Sequence, residues 1–190
     1  MNKLKTITDS TSDHELLDLC LVGKQVGYTV LYDRHAVSVF NSIYRLVNNV
    51  HDAEDILQQV FVIVFSDIKK MKEINSFKAW INRLAINMSI SYLRKNKIYF
   101  SNIEETDVVD TSEEDIALKR FLEYKIDDVK NAIVELPVEA RTITNLFLLE
   151  NMPQEEIAKM LGLSHNAVRS QYHRAKKKII QTLKNKIYHE

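Results

Sequence analysis

The sequence predicts an all-α protein made of two small helical domains joined by an acidic linker. On both sides of the middle of the chain, apolar residues recur at spacings of three and four, the period of an amphipathic helix. Only three glycines and two prolines occur among the 190 residues, so few turns are available for β-hairpins. Between the two helical parts, residues 101–130 carry 10 acidic and 4 basic side chains. The middle therefore separates two helical domains.

Composition favours a globular protein, since 45% of the residues are apolar and 27% are charged. No apolar run approaches the roughly 20 residues that a membrane span needs. The first residues also lack the apolar core of a secretory signal. We therefore expect a cytoplasmic protein without membrane insertion.

Residues suited to catalysis or metal binding are few. The single cysteine, Cys20, excludes an internal disulfide and any multi-cysteine zinc site, and its apolar neighbours are more typical of a small core residue than of a nucleophile. None of the six histidines belongs to an HExxH motif or to a pair one turn apart on a carboxylate-rich face. The sequence thus predicts no catalytic residue, no metal site and no cofactor.

The first helix is predicted to begin at a capping box, because Ser12 is followed three residues later by Glu15. Its inward side chains would be Leu16, Leu19 and either Leu21 or Val22, and Gly23 would end it. A second helical stretch, one long helix or a broken one, begins near Gln25.

The next helix is predicted to carry Asp52, Glu54 and Asp55 in its first turn, where carboxylates complement the helix dipole. It contains VFVIVF at residues 60–65, which alone would score as a buried strand, but the acidic start and closing Lys69 and Lys70 favour a helix. A helix that is apolar around most of its circumference is either deeply buried or also serves a partner surface, and burial is the default.

A further helix is predicted from near Phe77 to about Asn96. Its apolar side carries Phe77, Trp80, Ile81, Leu84 and Met88, and its other side carries Asn82, Arg83, Asn87, Ser91 and Arg94. Amides, hydroxyls and guanidinium groups of this kind bind base edges and phosphates. The alternative is an ordinary polar face in contact with solvent.

Domain boundaries follow from the acidic middle. Residues 98–115 have too few apolar side chains to offset the entropy of ordering, so they are predicted to be a linker. The predicted domains are then residues 1–97 and 116–190.

The last block contains a predicted helix-turn-helix. Pro153 lies near the start of its first helix, and Ala158 is small at the position where the second helix must cross closely. Gly162 is expected to end the first helix in a left-handed conformation, and Ser164 to cap the second. The second helix keeps one apolar stripe, formed by Val168, Tyr172, Ala175, Ile179 and Leu183.

The opposite side of that second helix is basic, since residues 164–188 include seven Lys or Arg, two His and no acid. A run of cations without neutralising carboxylates indicates a phosphate partner. A recognition helix reads bases with residues near its N-terminus. The candidates here are Ser164, His165, Asn166, Arg169, Ser170, His173 and Arg174, with Lys177 better suited to phosphates.

Four motifs, in this order along the chain, resemble the extracytoplasmic-function (ECF) sigma factors of bacterial RNA polymerase. They are DAED at 52–55, KAW at 78–80, LP at 136–137 followed by Arg141, and EIAKMLGLS at 156–164. The resemblance covers most of the chain. It implies a region-two helical bundle in residues 1–97, which binds core polymerase and the minus-10 element. It also implies a region-four helix-turn-helix in residues 116–190, which binds the minus-35 element.

The same resemblance implies three sets of site residues and two kinds of macromolecular partner, core RNA polymerase and promoter DNA, with an anti-sigma factor as an additional partner. The polymerase-binding set is Asp52, Glu54, Asp55, Gln58 and Gln59. The set that binds the separated minus-10 strand is Met71, Asn75, Ser76, Phe77, Arg83, Asn87 and Ser91. The minus-35 duplex would be read by the recognition-helix residues given above.

The sequence departs from the family pattern at Asn166 and Ala167, where Gly-Thr is common, and at Gln171, where a basic residue is common. Gln pairs with adenine where Arg pairs with guanine, so the minus-35 preference is this chain's own. Two other functions stay open: a dimeric regulator that binds palindromic duplex DNA, and an all-helical enzyme or scaffold whose basic tail only increases solubility.

Overall fold

The computed structural model describes residues 11–96 and 126–187, and all regular secondary structure in these residues is α-helical. The chain divides into two compact units, Met1–Tyr92 and Leu93–Glu190. The all-α prediction is confirmed. The predicted linker at 98–115, and the predicted start of the second domain at 116, lie outside the described residues.

Residues 11–96 form five helices: α1 (Asp13–Leu21), α2 (Gln25–Val47), α3 (Val50–Ser66), α4 (Ile68–Met71) and α5 (Phe77–Lys95). The capping box predicted for α1 is present. The Ser12 hydroxyl accepts a hydrogen bond from the Glu15 amide, and the Ser12 amide donates to Glu15 Oε2 at 2.7 Å. This pairing satisfies backbone N–H groups that have no partner within the helix.

The core of the first unit forms where α1 and α3 pack on α2. Leu16, Leu17 and Cys20 of α1 are buried, and Leu19 and Leu21 are partly buried against this core. Val22 is 69% exposed. Of the two alternatives for the last inward residue, the structure therefore selects Leu21, and Val22 occupies the C-cap of α1.

The second helix, α2, is one unbroken helix of 23 residues. It ends at Val47, and its C-cap residue, Asn48, is in the left-handed conformation. The next residue, Asn49, caps α3 by accepting hydrogen bonds from the amides of His51 and Asp52. Since α3 therefore begins at Val50, only Asp52 lies in its first turn. Glu54 and Asp55 lie one turn further on than the sequence predicted.

Residues 60–65 are helical, as predicted. Val60, Phe61 and Val64 are buried, whereas Val62 and Ile63 are 67% and 38% exposed. The helix is therefore buried on one side and presents apolar residues to solvent on the other. It also ends earlier than expected, at Ser66, so Lys69 and Lys70 belong to α4.

The second unit contains α6 (Ile126–Val134), α7 (Val138–Leu148), α8 (Gln154–Leu161) and α9 (His165–Ile187). The long helix α9 packs against the other three. Part of the core lies where α6, α7 and α9 meet, and it includes Ile133, Leu136, Ile179 and Leu183. Throughout the described ranges, no helix combines the length and apolar character needed to cross a membrane.

Candidate functional site

The turn between α8 and α9 has the predicted helix-turn-helix geometry. Gly162 adopts φ 71° and ψ 33°, the left-handed conformation that glycine enters without steric cost. The Leu163 amide donates to the Ala158 carbonyl at 2.9 Å, and Ser164 Oγ accepts from the Ala167 amide at 3.0 Å. Ala158 is buried, as close crossing of the two helices requires. These local contacts set the direction in which α9 leaves the turn.

The rotation of α9 about its axis is set by its buried stripe. Val168, Ala175, Ile179 and Leu183 are each no more than 3% exposed. Tyr172 is half-buried, and its ring packs edge-on against Phe147 with 4.6 Å between the ring centroids. Because this side packs inward, the opposite side of α9 is held toward solvent.

Most of the predicted minus-35 residues lie on that outer side. Besides Ser164, which precedes the helix, five are exposed: His165, Asn166, Arg169, Arg174 and Lys177. His173 is half-buried. Ser164 is exposed as well, but its hydroxyl caps α9. Ser170 is only 2% exposed. This corrects the expectation that Ser170 reads bases, because an enclosed hydroxyl has no access to a base edge.

The predicted minus-10 residues on α5 form one row. Arg83, Asn87 and Ser91 follow each other at intervals of four residues, and all three are exposed. The Ser91 hydroxyl donates to the Asn87 carbonyl at 2.9 Å, which leaves its lone pairs as acceptors. The row therefore combines a guanidinium, a planar amide and a hydroxyl along one face of a rigid helix.

The loop before α5 contributes differently from what the sequence suggested. Asn75 and Ser76 are exposed, and Ser76 Oγ caps α5 by accepting from the Ala79 amide at 3.3 Å. Met71 and Phe77 are 3% and 2% exposed and belong to the core of the first unit. Their assignment to the strand-binding set is corrected, since side chains enclosed by the core present no atoms to DNA.

Cations lie beside this loop. Lys70 Nζ is 2.8 Å from Asp67 Oδ2, and this hydrogen bond, together with the charge of Asp67, raises the pKa of Lys70. Lys72 forms an ion pair with Asp18 of α1, and Lys78 is exposed at the start of α5. Lys70 and Lys72 are thus each paired with a carboxylate, and Lys78 adds a further positive charge beside the loop.

The predicted polymerase-binding residues lie on α3. Glu54, Asp55, Gln58 and Gln59 are exposed, and Asp52 is half-buried. A shallow surface cavity of about 620 Å³ is lined by Asp55, Gln58, Gln59, Val62 and Ile63. We call these five residues the α3 face. Val62 and Ile63 were not predicted as site residues, although the unusually apolar VFVIVF run was the signal that one face could serve a partner.

Arg141, part of the motif that follows Leu136 and Pro137, supports the fold. Arg141 is 8% exposed, and its guanidinium donates to the Val134 carbonyl at 3.2 Å, which ties α7 to the last turn of α6. Burial lowers the pKa of Arg141, and the carboxylate of Glu139 acts in the opposite direction.

Within the described part of the chain, His, Cys, Asp and Glu side chains form no group of three or more that could hold a metal ion.

Two family models match the chain, one on each side of the acidic middle. Sigma-70 region 2 matches residues 31–98, and Sigma-70, region 4 matches residues 126–179. Region 2 thus spans most of α2 together with α3 to α5, and region 4 spans α6 to α8 and most of α9.

Curated relatives belong to the same class. The chain is 28% identical over 151 residues to ECF RNA polymerase sigma factor SigE of Mycolicibacterium smegmatis, an alignment that covers 78% of this chain and 58% of that protein. It is 23% identical over 172 residues to ECF RNA polymerase sigma factor SigW of Bacillus subtilis, covering 86% of this chain and 92% of that protein.

Among solved structures, CnrH in complex with the cytosolic domain of CnrY has a similar fold, with a TM-score of 0.51 and 23% sequence identity. That similarity covers 91% of this chain and 97% of the CnrH chain. Together with a helix-turn-helix whose outer side is basic, the two matched regions and the curated relatives lead to one conclusion: the chain belongs to the ECF sigma factors of the sigma-70 family.

Proposed function

We propose that this sigma factor binds core RNA polymerase through the α3 face and directs initiation at promoters that carry two DNA elements. The exposed row on α5 would take the separated strand of the minus-10 element, and α9 would read the minus-35 element as duplex. A sigma factor is a specificity subunit, so the catalytic chemistry belongs to the polymerase. The protein would act in the cytoplasm, where the chromosome and the polymerase lie.

One observation supports this proposal most strongly: the outer side of α9 is basic and is held outward by the turn at Gly162 and the stripe at Val168. In a helix-turn-helix, the second helix enters the major groove with its N-terminal residues near the base edges. Arg169 and Arg174 carry the fork of donors that pairs with guanine, and Asn166 carries the amide that pairs with adenine.

The row on α5 suits single-stranded DNA. Unpaired bases expose the edges that Watson-Crick pairing otherwise occupies, and Asn87 and Ser91 supply donors and acceptors for them. Arg83, together with exposed Lys78 at the start of α5, would attract the strand's phosphates. Capture of unstacked bases would offset the few kcal/mol needed to open each base step.

The α3 face has the composition of a protein-protein surface. Exposed Val62 and Ile63 supply apolar area, while Asp55, Gln58 and Gln59 supply a polar surround. Apolar residues within a polar rim are typical of specific interfaces. An anti-sigma partner would inhibit the protein by covering such a surface, and the similar CnrH is found with the cytosolic domain of CnrY.

Binding energy would be divided between the two domains, with residues 98–115 as the tether. Each domain alone would hold DNA weakly, and linkage would convert the second contact into an intramolecular one. Specificity would then depend on the spacing of the two elements as well as on their sequences.

Run-off transcription tests the proposal directly. Purified core polymerase is given a pool of genomic fragments, with and without the protein, and discrete new transcripts are expected only when the protein is present. Palindromic duplex binding without initiation would instead support the dimeric regulator. DNA binding that is absent or insensitive to salt would support the scaffold.

Matched variants test each surface. Val62→Lys should weaken binding to core polymerase at least tenfold, because it places a charge on the α3 face. Val37→Lys is the control and should leave binding unchanged, since Val37 is about as exposed as Val62, at 70% against 67%, but lies on α2. Equal effects of the two changes would exclude the α3 face as the docking surface.

Asn87→Ala should weaken holoenzyme binding to a single-stranded minus-10 oligonucleotide, with exposed Asn41→Ala on α2 as its control.

On α9, Arg169→Ala should weaken minus-35 binding, whereas exposed Lys184→Ala, about 22 Å further along the helix, should not. Identical behaviour of variant and control at either site would remove that site from the proposal.

A further inference from the structure

Gln171 and Arg174 lie one turn apart on α9 and are joined by two hydrogen bonds. Arg174 donates from Nε and from one terminal nitrogen to the same atom, Gln171 Oε1, at 3.3 Å and 3.0 Å. A guanidinium can only donate, so the amide atom that faces it must be the oxygen. The contact therefore defines the orientation of both side chains.

This contact changes what Gln171 can do with DNA. A glutamine reads adenine by accepting from N6 with its oxygen while donating to N7 with its nitrogen. The two lone pairs of Oε1 already accept the two N–H groups of Arg174. Gln171 is also half-buried, on the shoulder between the apolar stripe and the outer side of α9. Selection of adenine by Gln171 itself does not fit this arrangement.

We propose that Gln171 is a positioning residue that holds the Arg174 guanidinium and thereby determines the base preference at the minus-35 position under Arg174. The inference rests on the proposed reading of duplex DNA by α9. An arginine side chain has several rotatable bonds, and fixing its Nε edge removes much of that freedom before DNA arrives. A guanidinium group held in one orientation discriminates between bases through its paired N–H donors, whereas a mobile guanidinium acts mainly as a positive charge.

The test uses complete holoenzyme, core polymerase with the full chain, and a library of promoter duplexes in which the minus-35 element is randomised. Bound duplexes are sequenced for the wild type and for Arg174→Ala, Gln171→Met and Gln171→Glu. Methionine keeps the volume and helix propensity of glutamine but lacks the acceptor oxygen. Glutamate keeps the acceptor and adds a negative charge.

Arg174→Ala should abolish the preference at one minus-35 position and thereby identify it. Gln171→Met should reduce the preference at that same position about three- to tenfold and leave the other positions unchanged. Combining the two changes should add nothing to the effect of Arg174→Ala alone. Gln171→Glu should retain the preference while lowering affinity for all duplexes, a pattern that a purely structural role would not produce.

Three results would overturn the inference. Gln171→Met could leave the selected sequence unchanged, it could alter a position that Arg174→Ala does not, or Gln171→Glu could lose the preference as fully as Gln171→Met. If wild-type holoenzyme selected no minus-35 sequence at all, the proposed function would fail instead. Urea unfolding of each variant confirms that the selected sequences come from folded protein.

Discussion

The buried imidazole of His35 lies 2.9 Å from the carboxylate of Asp13, measured from Nε2 to Oδ2. The other oxygen of Asp13 accepts from Arg34 at 2.7 Å, so one carboxylate on α1 is held by two neighbouring residues of α2. The His35 ring also meets Phe77 edge-on, with 5.1 Å between the ring centroids. This group therefore connects α1 and α2 to the first residue of the helix that carries the Arg83, Asn87 and Ser91 row.

Replacing Asp13 should destabilise the first unit. Asp13→Asn removes the charge that faces Arg34 and disturbs the acceptor for a histidine that is only 4% exposed, so we expect a loss of about 1–3 kcal/mol in the free energy of unfolding. Urea unfolding measures it. Exposed Asp33→Asn on α2 is the control and should shift stability by less than about 0.5 kcal/mol. Equal losses would show that the Asp13 contacts are not stabilising.

Gly27→Ala should be destabilising, although alanine is normally the better helix former by about 1 kcal/mol. Gly27 lies inside α2, and an added Cβ would come within 2.7 Å of the Leu16 carbonyl oxygen and 2.9 Å of the Cys20 amide nitrogen. Both are backbone atoms, so α1 would have to move away from α2. A raised thermal midpoint for Gly27→Ala would contradict this packing.

Cys20 should resist alkylation in the native protein. Burial raises the pKa of its thiol to about 11, and the thiolate is the reactive form. Labelling with iodoacetamide at pH 8 should be far slower in native protein than in urea, and mass spectrometry reports it unambiguously because the chain has one cysteine. Equal rates would show that the thiol is accessible.

The raised pKa of Cys20 also sets a pH dependence. The protonated thiol is favoured in the folded state, so its contribution to stability is complete below the ordinary pKa of 9.0 and is lost as pH rises toward about 11. Cys20→Ala should therefore lose less stability than the wild type between pH 9 and 11 in urea unfolding. Parallel losses would contradict the assignment.

The capping box of α1 should weaken in acid. Hydrogen bonds from the backbone and side chain of Ser12 lower the pKa of Glu15, so its contribution is present above the ordinary pKa of 4.5 and is lost as pH falls through the lowered value. The stability difference between wild type and Glu15→Gln should shrink between pH 5 and 3. Ser12→Ala keeps the backbone N–H that donates to Glu15 and removes only the hydroxyl, so in that background the shrinkage should become smaller without disappearing. An unchanged shrinkage would show that the Ser12 hydroxyl does not contribute to the lowered pKa.

Local signals in the sequence were sufficient for α1, α2, α3 and α5 and for the helix-turn-helix formed by α8 and α9, whereas α4, α6 and α7 were not predicted as separate helices. A cap such as Ser12 acts on an amide three residues away, and Gly162 is suited to its position by its own φ and ψ. Because each of these effects operates within one helical turn, neighbouring residues reveal them. The recurrence of apolar residues at spacings of three and four then indicated an all-α chain and the outer sides of α5 and α9.

Residues distant in sequence decided which side chains reach the surface. Periodicity could not show that Met71, Phe77 and Ser170 are enclosed, or that Val62 and Ile63 are exposed, because the exposure of a side chain depends on which other elements cover it. The role of Gln171 was also beyond the sequence: residue types allow it to read adenine, and only side-chain orientation in the folded helix shows its oxygen engaged by Arg174. Residue type and spacing thus determined the family and most of the helices, whereas packing and side-chain orientation decided which atoms are presented to a partner.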